Sequence, residues 1–144
     1  MLNAPSNEAL EREIFVEAGQ ETVYSYFTDA QKMQTWNGQQ ARLDPRPGGE
    51  YWVNINGEDQ ASGNFLELEP FERIVFTWGW EGQNSPLAPG ASRVEVRFIS
   101  QTGGTLVRLK HFDLDKNQAA YQGQGWDHFL PQLAAAIRKA NLNN

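Results

Sequence analysis

The spacing of apolar and polar positions changes period twice along the chain. Glu11 to Glu17 alternates loosely and predicts a first strand. Gln20 to Asp29 places Val23, Tyr24 and Phe27 at helical spacing, so a short helix follows. Met33 and Trp36 predict a second helical turn within Gln31 to Trp36, ended by Asn37-Gly38. The period then shortens to two. Arg42 to Asp44 is a short strand, and Pro45-Arg46-Pro47-Gly48-Gly49 is a turn. Glu50 to Asn56 sets Tyr51, Val53 and Ile55 on one face and Trp52 on the other, and either set can face inward. A turn at Gly57-Glu58-Asp59 leads to Ala61 to Glu69, where Leu66 and Leu68 alternate against Phe65 and Glu67. Pro70-Phe71-Glu72 connects tightly to Arg73 to Trp80. Gln83 to Ser92, with Pro86, Pro89 and Gly90, reads as a loop. Arg93 to Ser100 and Thr105 to Phe112 form a hairpin about Thr102-Gly103-Gly104. Val94, Val96 and Phe98 share one face of the first arm, and Val107, Leu109 and His111 one face of the second.

The second change of period comes at about Gln118. Trp126, Phe129, Leu130, Leu133 and Ile137 recur at three- and four-residue steps, which predicts an amphipathic helix to about Ala140. Pro131 removes a backbone donor, and Gly123 and Gly125 weaken the first turns. A kink or ragged start is therefore expected near Gly125 to Asp127. The inventory is one strand, two short helices, about six further strands and one long helix. Short connections make the strands an antiparallel meander, and its apolar face needs a cover. The expected fold is α+β: a curved antiparallel sheet gripping the C-terminal helix. Residues 9–141 are read as a single domain and residues 1–8 as a flexible tail.

The densest feature is Arg73 to Trp80. Ile74, Phe76, Trp78 and Trp80 fall on one face of the strand, so large aromatics line up along a single side. That face either packs against a solid core or walls a hollow one. Aromatic residues make up 12% of the 144, including five Trp, enough for a core without covalent staples. Cysteine is absent, which removes disulfides and thiolate metal sites and suits a cytoplasmic setting. A net charge of −6 with scattered basic residues argues against a nucleic-acid partner. No apolar run approaches the roughly 20 residues needed to span a bilayer, and Met1 to Leu10 lacks a signal pattern.

Several ordered motifs carry a resemblance. They are Phe27-Thr28-Asp29 leading to Trp36, Pro47-Gly48-Gly49-Glu50-Tyr51, Gly63 running to Glu69-Pro70, and Arg73 to Trp78. Val94-Glu95-Val96, Gly104-Thr105, His111 and Gly125-Trp126 with Leu130 and Leu133 complete the set. From about Glu11 to Ala140 the chain resembles the START-like (SRPBCC) helix-grip superfamily. Within it, the chain is most similar to the activator-of-Hsp90-ATPase-homologue type. The resemblance implies a cavity between sheet and long helix, used by many members for apolar ligands. Co-chaperones of this family carry an additional Hsp90-binding domain, for which one domain of this length has no room, so Hsp90 is not expected as a partner. Many relatives place a proline before the first helix, where this chain has Gly19-Gln20.

The candidate ligand-binding residues are Phe76, Trp78, Trp80, His111, Trp126 and Leu130. The alternative for Phe76 is plain core packing, and for Trp126 a core anchor of the helix. Buried indole N–H groups need partners, which a cavity mouth would give Trp78 and Trp80. His111 follows Val107 and Leu109 inward and is either a ligand contact or a hydrogen-bonded core residue. Trp36 and Trp52 are candidates for the cavity rim. His128 is expected on the exposed side of the helix, and Glu67, Glu69 and Glu95 on a solvated face. Two histidines without spaced carboxylates make no metal motif, and no Gly-x-Ser-x-Gly elbow or phosphate-cradling loop is present. No catalytic residue, cofactor or metal is expected. The reading is a binder of a small hydrophobic molecule. The alternatives are a stress- or chaperone-linked interaction module and a cyclase-type enzyme using the same cavity. A homodimer is left open.

Overall fold

The computed structural model describes residues 9–142, and the tail expected at residues 1–8 falls outside the described residues. Strand β1 (Leu10–Val16) is followed by α1 (Gln20–Thr28) and α2 (Ala30–Met33). Strands β2 (Gln40–Leu43), β3 (Glu50–Asn54), β4 (Gln60–Glu69), β5 (Arg73–Trp80), β6 (Ser92–Gln101) and β7 (Gly104–Phe112) come next, and α3 (Lys116–Leu142) ends the described chain. The seven strands form one antiparallel sheet in the order β1-β7-β6-β5-β4-β3-β2. Each hairpin connection pairs sequence neighbours, while β1 returns to the far edge beside β7. The α+β helix-grip arrangement is the one the alternation and the terminal helix predict. Among the described residues no helix is long and apolar enough to cross a membrane.

The inward face of the sheet is aromatic at its centre. Tyr51 of β3 stacks on Phe76 of β5 at 4.1 Å and 11° between planes, with Phe65 of β4 edge-on to both. The set Tyr51 and Val53 is therefore the inward one. Trp52 points to the other face, where the Arg42 guanidinium lies 3.9 Å over its ring. Phe27 and Trp36 join the core through Phe98 of β6.

Two expectations about the elements themselves are corrected. Leu66 and Leu68 do not share a face. The pairing of β4 with β5 shifts between Phe65 and Glu67, so an extra residue is inserted. Phe65 is fully buried, Leu66 is exposed, and Leu68 packs against the core. The long helix does not begin raggedly near Gly125 either. It starts at Lys116 and runs unbroken through Gly123, Gly125 and Pro131. Asp115 accounts for the early start: its side chain accepts the Gln118 N–H at 2.8 Å, and its carbonyl accepts Ala119 N–H. Each interior glycine costs about 1 kcal/mol. Burial of Trp126, Leu130, Leu133 and Ile137 contributes roughly 1.5–3 kcal/mol apiece and outweighs it.

Charged side chains cover the convex face, though less openly than the alternation suggests. Glu95 is mostly covered rather than solvated, and Arg73 Nε donates to it at 2.6 Å. Arg73 also reaches Glu67 and Glu69, each at 3.3 Å. Burial pushes the Glu95 carboxyl up, but the Arg73 hydrogen bond and the charges of Arg97 and Lys110 prevail and hold it below its usual range.

Candidate functional site

Beyond Trp78, β5 runs on without β6, because the β5–β6 register ends at Trp78 opposite Ser92. The segment before β6 crosses this end instead. Gly79 makes the crossing possible: a Cβ there would stand 1.8 Å from the Ala88 carbonyl oxygen. Trp80 N–H then donates to the Leu87 carbonyl at 2.7 Å. On the inward side of β5, the Trp78 and Trp80 rings meet edge-to-face, with centroids 4.6 Å apart. From α3, Trp126 approaches Trp78 at 6.5 Å and Tyr121 approaches Trp80 at 6.4 Å.

Between these rings and β3 lies a cleft of about 280 Å³. Trp78 and Trp80 wall one side, Tyr121, Trp126 and Phe129 of α3 another, and Val53 and Ile55 a third. Asn56, Asp59, Gln124 and His128 stand at its exposed mouth. The buried polar side chains on the wall are Asn37 and Gln122, each only 4% exposed. Trp78, Trp80 and Trp126 are thus brought together around the cleft. Phe76, Leu130 and His111 lie behind it, and Trp36 and Trp52 do not line it.

His111 shows why the inward pattern alone could not assign it. It is 1% exposed. Trp126 Nε1–H donates to its Nδ1 at 3.2 Å, so Nδ1 is the unprotonated nitrogen. Nε2 then carries the proton and donates to Ser92 Oγ, 2.8 Å away. Ser92 O–H donates onward to the Trp78 carbonyl. One directed chain therefore links α3, β7, β6 and β5. A serine beside an imidazole at this distance resembles a nucleophile and its base. The direction is wrong for that role, because neither imidazole nitrogen has a lone pair free to take the serine proton. Desolvation lowers the His111 pKa to about 3, so the ring stays neutral. The pair is a buried strut of the fold.

Asn37 was legible in the sequence only as part of a helix stop. It follows Trp36, whose indole N–H donates to the Tyr26 carbonyl at 2.9 Å. It precedes Gly38, whose φ of +97° and close approach to Val53 and Asn54 leave no room for a Cβ. The residue is therefore pinned against β3 from both sides. Ser92, read as the end of a loop, is the first residue of β6. Gln122 and Tyr121 fall in the turns of α3 that precede the strongest apolar repeat.

The family model described as activator of Hsp90 ATPase homolog 1-like protein matches residues 17–138. The chain belongs to this family. An AHSA1-like protein from Rhizobium etli, solved in solution, is 38% identical, with a TM-score of 0.72 over 95% of this chain and 87% of its own. DynU16, from the dynemicin biosynthetic locus, is 19% identical with a TM-score of 0.80, over 94% of this chain and 49% of its own. This chain thus spans about half of that protein. The Aha1 dimer from Colwellia psychrerythraea is 19% identical with a TM-score of 0.76, over 90% of this chain and 95% of its own. At 19% identity the last two show the shared fold alone. A search of curated proteins returned no match.

Proposed function

We propose that this AHSA1-family protein binds a small, largely aromatic molecule in the cleft between β5, β3 and α3. The observation that carries the reading is the convergence of Trp78, Trp80, Tyr121, Trp126 and Phe129 on one concave space. Ligand sites are concave, mostly apolar and furnished with a few placed polar groups. Their usual range is roughly 300–1,000 Å³, so a cleft of about 280 Å³ suits a ligand of one or two fused rings. Phe76, Leu130 and His111 support the wall from behind. Among the described residues the cleft's only titratable acid–base side chains besides Tyr121 are Asp59 and His128, which stand exposed at its mouth, and the buried Ser92–His111 pair is saturated, which favours binding over catalysis.

Equilibrium dialysis against 2-methylnaphthalene and 2-naphthol tests this reading. Saturable binding at one site, weakened at least tenfold in Trp80→Ala, is expected. Absence of binding by both compounds, or binding indifferent to Trp80→Ala, would overturn it.

A further inference from the structure

Asn37 Oδ1 is a buried polar side-chain atom that has no hydrogen-bond partner among the described residues. Such an atom carries the desolvation cost of burial without the bond that normally offsets it. Its location gives the cost a purpose. Asn37 is a wall residue of the cleft, 4% exposed, and clamped by the Trp36 anchor on one side and Gly38 on the other. The flanking anchors fix its backbone and burial keeps the amide from swinging out to bulk solvent, while rotation about its terminal bond stays open.

The other polar groups on the wall narrow the chemistry. Gln122 is equally buried, and its Nε2 reaches Gln118 at only 3.4 Å, a long bond. The Trp36 and Trp126 indole N–H groups are engaged by Tyr26 and His111. Those of Trp78 and Trp80 have no partner among the described residues, so the wall offers donors as well as an acceptor. Among the described residues no charged side chain lies in the buried part. Asp59 and His128 stand exposed at the mouth. An ionised ligand would enter with its charge unpaired, which is far costlier than an unpaired amide.

We infer that the cleft selects an uncharged aromatic alcohol, a phenol or naphthol type, whose hydroxyl pairs with the side-chain amide of Asn37. This rests on the binding reading above and assigns Asn37 as its specificity-determining residue. Oδ1 has almost no accessible surface as it stands, so a half-turn of the amide brings it to the cleft; a hydroxyl both gives and accepts and pairs with whichever amide atom faces it. An ether, ketone or hydrocarbon of the same size leaves the Asn37 acceptor unpaired.

The test is a cycle of four affinities by equilibrium dialysis: 2-naphthol and 2-methylnaphthalene, each with the wild-type chain and with Asn37→Leu. The two ligands differ only by hydroxyl for methyl. The wild type is expected to favour 2-naphthol over 2-methylnaphthalene by a factor that falls about five- to tenfold in Asn37→Leu, the size of one neutral hydrogen bond. Because Asn37→Leu removes an unpaired buried acceptor, its ligand-free melting temperature is expected to match or exceed the wild type's, so the variant remains folded for the comparison. Asn37→Ser, smaller but polar, is expected to retain part of the preference. If both compounds bind and the ratio is the same in both proteins, the hydroxyl assignment is overturned and the cleft reading stands. If neither binds the wild type, both are overturned.

Discussion

Trp126 Nε1–H donates to His111 Nδ1 across 3.2 Å, tying the long helix to the sheet by a bond that fixes the tautomer of a buried imidazole. The same indole forms part of the cleft wall. One residue thus holds the grip closed on one side and shapes the candidate site on the other. Trp126→Phe keeps the ring bulk and deletes the donor, leaving Nδ1 unpaired. It is expected to lower stability by about 1–3 kcal/mol, measured by urea unfolding.

The neutrality of His111 has a consequence for acid stability. Its folded pKa, lowered to about 3, lies below the ordinary 6.5, so the unfolded chain binds the extra proton between these values. The stabilisation is fully present above about pH 6.5 and is lost as pH falls, by up to about 1.4 kcal/mol per unit. Unfolding free energies at pH 7.5, 5.5 and 4.5 for wild type and His111→Asn isolate the effect. The variant is less stable at pH 7.5, and the gap narrows on acidification. A gap constant with pH would contradict the assignment.

Glu95 adds a second acid-sensitive element on the opposite face. Its folded pKa is depressed, so its contribution is present above the unfolded carboxylate pKa and is lost as pH falls through the folded one. Glu95→Gln is expected to cost little at acid pH and more near neutrality. Urea titrations of the pair at pH 3 and pH 7 read the difference.

Gly79 links the outer loop to the cleft. Gly79→Ala would drive its Cβ into the Ala88 carbonyl and break the Trp80–Leu87 bond. A destabilisation of about 1–3 kcal/mol is expected, with weakened ligand binding because Trp80 loses its backbone tether. Trp80→Ala, by contrast, removes a half-buried ring. It should weaken binding at smaller cost to the melting temperature than Trp78→Ala, which opens a void in a nearly closed layer. Thermal unfolding and dialysis on the same samples separate the two effects.

Much of this fold was legible in the chain because its signals are local. The alternation Val94-Val96-Phe98 and Val107-Leu109-His111 fixes two strands and their inward faces, and Trp126 to Ile137 announces the helix that covers them. What was not legible depends on tertiary context. The slip at Leu66 arises from pairing with β5, so nothing in Phe65-Leu66-Glu67 alone marks it. The start of α3 was read to within two residues, but its unbroken course was not: Gly123, Gly125 and Pro131 depress propensity, whereas the tertiary burial of Trp126, Leu130, Leu133 and Ile137 that overrides them shows only in the fold. In the candidate site, the Trp78–Trp80 stripe was visible, but Asn37 came from a stop signal far away in sequence. Its importance lies in a missing partner, which shows only once the chain is folded.

The most direct measurement is a nitrogen-15 spectrum of the five indole N–H groups during titration with 2-naphthol. The account predicts that the Trp78 and Trp80 signals move and saturate together, while the Trp36 signal, held by the Tyr26 carbonyl outside the cleft, stays in place. Unchanged Trp78 and Trp80 signals at saturating ligand, or equal movement of all five, would contradict it.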